Sequence, residues 1–73
     1  MNADHLIRMA NQIGTFFESQ PDRAEALEGI ASHIKKFWEP RMRREFLALL
    51  DEGVAGVQPI VREALQQHRA LLT

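Results

Sequence analysis

The stretch HIKKFWEPRMRR, residues 33–44, decides how the chain folds. It contains the only tryptophan, Trp38, and a proline, Pro40, which disfavours helical geometry at the preceding Glu39. The same proline suits the first turn of a new helix. Apolar patterns with helical spacing run into this stretch and continue out of it. The sequence therefore predicts two helices that meet at a sharp corner between Trp38 and Pro40.

Two amphipathic helices flank this corner. The second helix of the chain is predicted from about Arg23 to Phe37, and the third from about Pro40 to Glu52. Asp22 followed by Glu25 resembles a capping box before the second helix, and Gly53 suits the end of the third. The residues predicted to face inward are Leu27, Ile30, Ala31, Ile34, Phe37 and Trp38, followed by Met42, Phe46, Leu49 and Leu50.

Two further helices are predicted outside this pair, from about Asp4 to Glu18 and from about Pro59 to Leu72. Gly14 follows Ala10 by four residues, which predicts close approach of another helix at that point. The sequence thus predicts an all-α, compact small domain of four short amphipathic helices, with residues 1–73 as a single domain. The inward-facing residues of the outer helices are Leu6, Ile7, Met9, Ala10, Ile13, Phe16, Phe17, Val57, Val61, Ala64, Leu65, Leu71 and Leu72.

Length and composition exclude several classes of protein. Seventy-three residues lie close to the lower limit at which one domain folds alone. A formal net charge of −1 gives no overall attraction to nucleic acid or to a membrane surface. The chain has no cysteine, so we expect no disulfide and no thiolate zinc site, which suits a reducing cytoplasm. No signal peptide is expected, and no apolar run is long enough for a membrane span.

The residues that most often carry chemistry are scattered. His5, His33 and His68 do not form a pair with metal-binding spacing on one helical face. His68 falls within the apolar stripe of the fourth helix and is predicted to be half-buried, and His33 lies beside Phe37 at the rim of the second helix. No nucleophile triad or glycine-rich phosphate loop is present. We therefore predict no catalytic, cofactor-binding or metal-binding residues and no catalysis by this chain alone.

A basic cluster, called the basic corner below, carries more information. Five of the nine basic residues lie within ten positions, interrupted only by Glu39. They are Lys35, Lys36, Arg41, Arg43 and Arg44. One interpretation is a solvated helix end with internal pairs such as Arg41 with Glu45. Others are a docking surface for an acidic protein face or an anionic ligand, or nucleic acid binding. Trp38, beside them, is either part of the core or an interface residue.

The chain resembles a known family through two ordered motifs. The first is RMANQIG at residues 8–14, followed by Phe16 and Phe17, and the second is HIxxFWxPRMR at residues 33–43. Together they resemble the delta subunit of NAD-dependent, molybdenum-containing formate dehydrogenase, over about residues 6–65. The resemblance implies a cytoplasmic accessory subunit of a complex that oxidises formate to carbon dioxide with reduction of NAD.

The resemblance also implies where the cofactors of such a complex lie. In that family the large subunit carries the bis-pterin molybdenum or tungsten cofactor and iron–sulfur clusters, while flavin and the NAD site lie on other subunits. The delta subunit holds none of these and is associated with maturation or stability of the complex. The implied partners are the large subunit and a maturation chaperone. Neither a membrane nor a nucleic acid is an expected partner.

These implications define a docking hypothesis. We expect the basic corner to provide the electrostatic contact with the large subunit, with Trp38 and Met42 beside it as apolar anchors. Secondary candidates lie on the first helix, at Arg8, Asn11, Gln12 and Phe16. The alternative is an independent small helical regulator, or a module that binds nucleic acid or protein through the same basic residues. Formate dehydrogenase genes beside this one would favour the first hypothesis.

Overall fold

The computed structural model describes residues 2–73, which fold into four helices and one short helical turn. The helices are α1 (Ala3–Glu18), α2 (Arg23–Phe37), α3 (Pro40–Asp51), α4 (Pro59–Gln67) and α5 (Arg69–Leu72). No strand occurs in this range, so the predicted all-α class is confirmed. None of these helices combines the length and apolar character needed to cross a membrane.

Local capping explains where the first two helices begin. The side chain of Asn2 accepts hydrogen bonds from the backbone N–H groups of Asp4 and His5, at 2.8 and 3.3 Å. Asp22 accepts equivalent bonds from Ala24 and Glu25, at 2.9 and 3.3 Å. Each cap satisfies backbone donors that have no partner within the helix. Asp22 therefore marks the start of α2, as the sequence predicts.

The other helix boundaries follow from proline and glycine. Pro40 and Pro59 lie in the first turns of α3 and α4, where the missing N–H does no harm. α3 ends at Asp51, and Gly53 follows the C-cap residue Glu52 with a φ angle of 77°. The N–H groups of Gly53 and Val54 donate to the carbonyls of Leu50 and Leu49, which is the hydrogen-bond pattern of a Schellman motif. Gly53 thus terminates α3 as predicted.

The core is formed chiefly where α2 packs against α4 and α1, with α3 and α5 closing its ends. Gly14 lies buried on α1, and a Cβ atom there would approach Cγ2 of Val61 to 2.6 Å. The predicted close approach of a second helix at Gly14 is therefore confirmed, and that helix is α4. The buried hydrophobic residues are Leu6, Ala10, Ala26, Leu27, Ile30, Ala31, Ile34, Trp38, Phe46, Leu47, Val57, Ile60, Val61, Ala64, Leu65 and Leu72.

The fourth predicted helix is shorter than the sequence indicates. It ends at Gln67, and His68 joins it to the single turn α5 with φ and ψ angles of −112° and 29°. α5 packs against α2, which turns Leu72 into the core while Leu71 remains 44 % exposed. The prediction of one helix to Leu72 was wrong at this point. His68 is half-buried as expected, but it lies at the break between two helices.

Two further burial predictions need correction. Phe16 and Phe37 were both predicted to face inward, yet their side chains are 69 % and 71 % exposed. Trp38 lies in extended conformation after the end of α2 and takes the interior position instead. On α3, Leu47 is buried although it was not predicted to be, while Leu49 and Leu50 are only partly buried. The inward face of α3 is therefore rotated from the one that its apolar pattern predicts.

Candidate functional site

Three members of the basic corner point into solvent without an acidic partner. Lys35 and Lys36 lie in the last turn of α2, where positive charge interacts favourably with the helix dipole. Arg44 is exposed on α3. None of the three forms an ion pair with another residue of the described part of the chain. Their charges are therefore free to interact with a partner.

The fourth member, Arg41, has a weak internal partner. Its Nε atom lies 3.4 Å from Oε1 of Glu45, one turn further along α3. The predicted internal pair is therefore present. Because the Arg41 side chain is 78 % exposed, this ion pair contributes little to stability. It does not prevent Arg41 from contacting another protein.

Arg43, the fifth member, is committed to the fold. Its Nη1 atom donates hydrogen bonds to the backbone carbonyls of Lys35 and Trp38, at 3.1 and 2.9 Å. These carbonyls lie at the C-terminal end of α2, where the helix leaves acceptors unpaired. Arg43 thus fastens the start of α3 to the end of α2. Among the five basic residues, it is the one with a clear structural role.

The two apolar anchors expected beside the basic corner are largely covered. Trp38 is only 5 % exposed, and its ring packs edge-on against Phe46 with 5.6 Å between centroids. Met42 is half-buried and packs against the core. Neither side chain is free to enter a partner's pocket. Both side chains instead pack into the core beneath the basic corner.

An exposed row of rings lies beside the corner instead. Phe16 is 69 % exposed and meets Phe17 edge-on at a centroid distance of 5.0 Å. Phe17 lies 6.4 Å from His33, and His33 lies 4.8 Å from Phe37. These rings border a groove of about 400 Å³ between α1 and α2. We call it the aromatic groove; its lining residues are Met9, Gln12, Ile13, Phe16, Phe17, His33 and Trp38, and Phe37 adjoins it through its contact with His33.

A glycine on α2, Gly29, makes room for one ring of this row. A Cβ atom at Gly29 would lie 2.5 Å from Cε1 of Phe17, so the ring of Phe17 lies directly over the α2 backbone. Phe17 is half-buried in this position. The packing positions one ring of the row, and Phe16 and His33 both contact that ring. The groove is therefore built into the α1–α2 hairpin.

The sequence contains a signal for the groove that our prediction missed. Phe16–Phe17 and Phe37–Trp38 are adjacent aromatic pairs, and adjacent side chains point in different directions both on a helix and in extended chain. One ring of each pair is therefore directed away from the centre of the core. Phe16 was named as a secondary candidate for contact, but both Phe16 and Phe37 were also assigned to inward-facing stripes. His33 lies beside Phe37 as predicted, but its contact with Phe17 on α1 was not predicted.

The secondary candidates on the polar side of α1 have different roles. Asn11 donates through Nδ2 to the carbonyl of Gly56 at 2.8 Å and accepts through Oδ1 from the N–H of Gln58 at 2.9 Å. It therefore holds the loop that leads into α4. Arg8 and Gln12 are exposed and line a shallow depression of about 540 Å³ with Asn11. Gln12 also borders the aromatic groove.

Ionisable groups elsewhere form structural contacts. Arg69 binds both carboxylate oxygens of Asp51 at 2.7 and 2.8 Å, and these hydrogen bonds hold the pKa of Asp51 below its ordinary value of 3.8. The pKa of Arg69 is raised by the same contact. This pair joins α3 to α5. Within residues 2–73, no three His, Asp or Glu side chains are grouped so that they could hold a metal ion.

Comparison with known proteins gives one informative result. Neither curated proteins nor solved structures give a significant match to the chain. A family model does match, over residues 5–65, and it describes the NADH-dependent formate dehydrogenase delta subunit FdsD. The match covers all of α2 and α3 and most of α1 and α4. This chain therefore belongs to the FdsD family of formate dehydrogenase delta subunits.

Proposed function

We propose that this chain is a non-catalytic accessory subunit that docks on the large subunit of a cytoplasmic NAD-dependent formate dehydrogenase. The observation that carries the proposal is the family match over residues 5–65, because the family is described as one subunit of such an enzyme. Docking supports maturation or stability of the complex, either directly or together with a maturation chaperone. The contact includes the exposed part of the basic corner.

The charge arrangement supports a docking role for this corner. α3 begins with Arg41, Arg43 and Arg44 and has no acidic residue in its first turn. Cations at a helix N-terminus interact unfavourably with the helix dipole. Arg43 has a structural reason to be there, but Arg44 forms no ion pair within the described residues. An acidic surface on the large subunit would give Arg44, Lys35 and Lys36 the acidic partners they lack, and Arg41 a second one beside Glu45.

The proposal places the chemistry of the complex on other subunits. Bis-pterin molybdenum or tungsten, iron–sulfur clusters and flavin each need ligands or a binding fold, and cysteine is the usual iron–sulfur ligand. This chain has no cysteine, and its three histidines lie far apart in the sequence. We therefore propose that the isolated chain binds none of these cofactors and does not oxidise formate. Metal analysis of tag-free protein tests this, and stoichiometric metal would contradict it.

A co-purification experiment tests docking directly. The chain is co-expressed with the formate dehydrogenase large subunit, and the affinity of the purified proteins is then measured for the wild type and for Arg41→Ala/Arg44→Ala. Arg8→Ala/Arg23→Ala is the comparison variant, because it removes the same charge outside the corner, at the secondary candidate Arg8 and at Arg23, which pairs with Glu63. Circular dichroism confirms that each variant is folded. Arg43→Ala is unsuitable here, since Arg43 stabilises the corner itself.

The size of the loss in affinity distinguishes a desolvated docking contact from a solvated helix end. Loss of a desolvated arginine contact typically costs about 2–5 kcal/mol of binding free energy, whereas an exposed ion pair contributes roughly 0–1 kcal/mol. We expect the corner variant to lie in the first range and the comparison variant near the wild type. Unchanged affinity of the corner variant at low and moderate salt would exclude the basic corner. A larger loss in the comparison variant would move the contact to the polar side of α1.

A further inference from the structure

The aromatic groove combines contiguous exposed rings with a preorganised shape, as docking sites often do. Single exposed apolar side chains are common, but contiguous exposed rings are characteristic of interaction sites. Here Phe16 and Phe37 are 69 % and 71 % exposed and belong to one row of ring contacts that runs through Phe17 and His33. The packing of Phe17 over Gly29 fixes the row before any partner arrives. Such preorganisation reduces the entropy lost on binding.

The groove and the basic corner form one continuous surface. Trp38 lines the groove, and its backbone carbonyl accepts the hydrogen bond from Arg43 that joins α2 to α3. On α2, Lys36 follows His33 by three residues, so both lie on neighbouring positions of one helix face. An apolar groove is thus bordered at one end by cations. A matching partner has apolar side chains with carboxylates next to them.

The backbone of the groove determines what kind of segment fits. Its walls are helices, whose backbone N–H and C=O groups are already hydrogen-bonded internally, so a partner cannot add a strand. Recognition must therefore occur through side chains, as when an amphipathic helix lies in a hydrophobic groove. The wall on α1 runs from Met9 to Phe17, and this stretch of helix extends about 12 Å. This length accommodates about two turns of a partner helix.

We propose that the aromatic groove receives an amphipathic helix of the large subunit, with apolar residues against Phe16, Phe17 and Phe37 and a carboxylate beside Lys36. The inference rests on the proposed function, because it assigns the occupant to that subunit. A second copy of the chain fits less well. Symmetric pairing through the same surface would place two basic corners close together, and like charges repel.

Binding of the purified large subunit to Phe16→Ala/Phe37→Ala tests this inference. Both side chains are largely exposed, so their removal leaves the core intact. We expect affinity to fall by about 30-fold or more, the effect typical of interface hot spots. Leu71→Ala is the matched control, since Leu71 is also exposed, at 44 %, but lies on α5 outside the groove. The control should bind within about twofold of the wild type.

A crosslinking measurement identifies the occupant. A photoreactive phenylalanine analogue at position 16 should crosslink to one segment of the large subunit, with apolar residues at helical spacing and at least one carboxylate. Lys36→Glu should weaken binding and reduce its dependence on salt concentration. Crosslinks to a second copy, or to a segment without these features, would overturn the inference.

The outcomes also separate this inference from the proposed function. If the wild type binds the large subunit and the double phenylalanine variant binds equally well, the groove inference fails and the docking proposal stands. If the wild type does not bind the large subunit at all, both fail. Sedimentation of the isolated chain adds a further check, because dimerisation that depends on Phe16 and Phe37 would assign the groove to self-association.

Discussion

The two sides of α1 are covered very differently. On one side Gly14 allows close packing of α4, and Asn11 holds the loop before α4 with both atoms of its amide group. On the other side Met9, Ile13 and Phe16 line the aromatic groove, and no residue of the described chain covers Phe16 fully. The first side is completed within the chain, whereas the second presents large rings to solvent. The difference indicates that the chain folds without any group that fills the aromatic groove.

The largest expected effect comes from the residue that belongs to both regions. Trp38 is buried against Phe46 and also lines the groove. Trp38→Ala should lower the free energy of unfolding by about 3–5 kcal/mol, because it leaves a cavity at the corner. A domain of this size has roughly 4–11 kcal/mol in total, so much of the stability would be lost. Urea denaturation measures the change, and near-wild-type stability would contradict the burial of this ring.

Within the basic corner, Arg43 should contribute to the stability of the fold and Arg44 should not. Arg43→Ala removes two charged hydrogen bonds to the end of α2, and we expect a loss of about 2 kcal/mol in unfolding free energy. Arg44→Ala is the matched control and should change stability by no more than about 0.5 kcal/mol. Thermal and urea denaturation of both variants provide the comparison. Equal effects would mean that Arg43 does not fasten the corner.

Gly14 and Gly29 compare the two sides of α1. Gly14 packs against α4, and Gly29 on α2 lies under Phe17 beside the aromatic groove. In Gly14→Ala the new Cβ meets buried Val61 at 2.6 Å, so α1 and α4 must separate at a net cost of about 1–2 kcal/mol. In Gly29→Ala the new Cβ meets the ring of Phe17, which can swing outward. We expect that stability changes by less than about 1 kcal/mol, because alanine favours the helix.

Binding should show the reverse order for these two variants. Gly29→Ala displaces the ring that organises the aromatic groove and should weaken binding to the large subunit. Gly14→Ala should bind nearly normally at temperatures where it is folded. Calorimetric titration alongside urea denaturation measures both properties. A Gly29→Ala variant with unchanged affinity would show that the position of Phe17 is unimportant for docking.

The smallest effect is expected at the pair between α3 and α5. Because Arg69 lowers the pKa of Asp51, this carboxylate stabilises the fold above its ordinary pKa of 3.8 and loses that contribution as the pH falls through the lowered value. Asp51→Asn should therefore be slightly less stable than the wild type at neutral pH, and the difference should vanish in acid. Melting temperatures over a pH series test the sign. A difference that grows in acid would contradict it.

The sequence predicted the features that depend on local chemistry. α2 begins and ends where expected, because Asp22 and Pro40 act on the residues next to them. Gly53 ends α3 for the same reason. The break at His68 has no proline or glycine to announce it and depends on the packing of α5 against α2. Local patterns could not reveal a boundary imposed by a distant helix.

The candidate site was predicted only in part for a similar reason. The basic residues are adjacent in sequence, so their cluster was evident, as was the internal pair of Arg41 with Glu45. The structural role of Arg43 depends on the turn that brings α3 back to the end of α2. The groove brings together residues from α1 and α2 that are about twenty positions apart. Its existence therefore follows from tertiary packing.

Amine labelling tests the central claim, that this chain docks on the large subunit through the basic corner, most directly. Lys35 and Lys36 are the only lysines in the chain, so their acetylation reports on the corner alone. Labelling is compared between the free chain and the assembled complex, with dicarbonyl modification of Arg8 as the control on another face. We predict strong protection of both lysines in the complex and little change at Arg8. Lysines that react equally fast in both states would contradict the account.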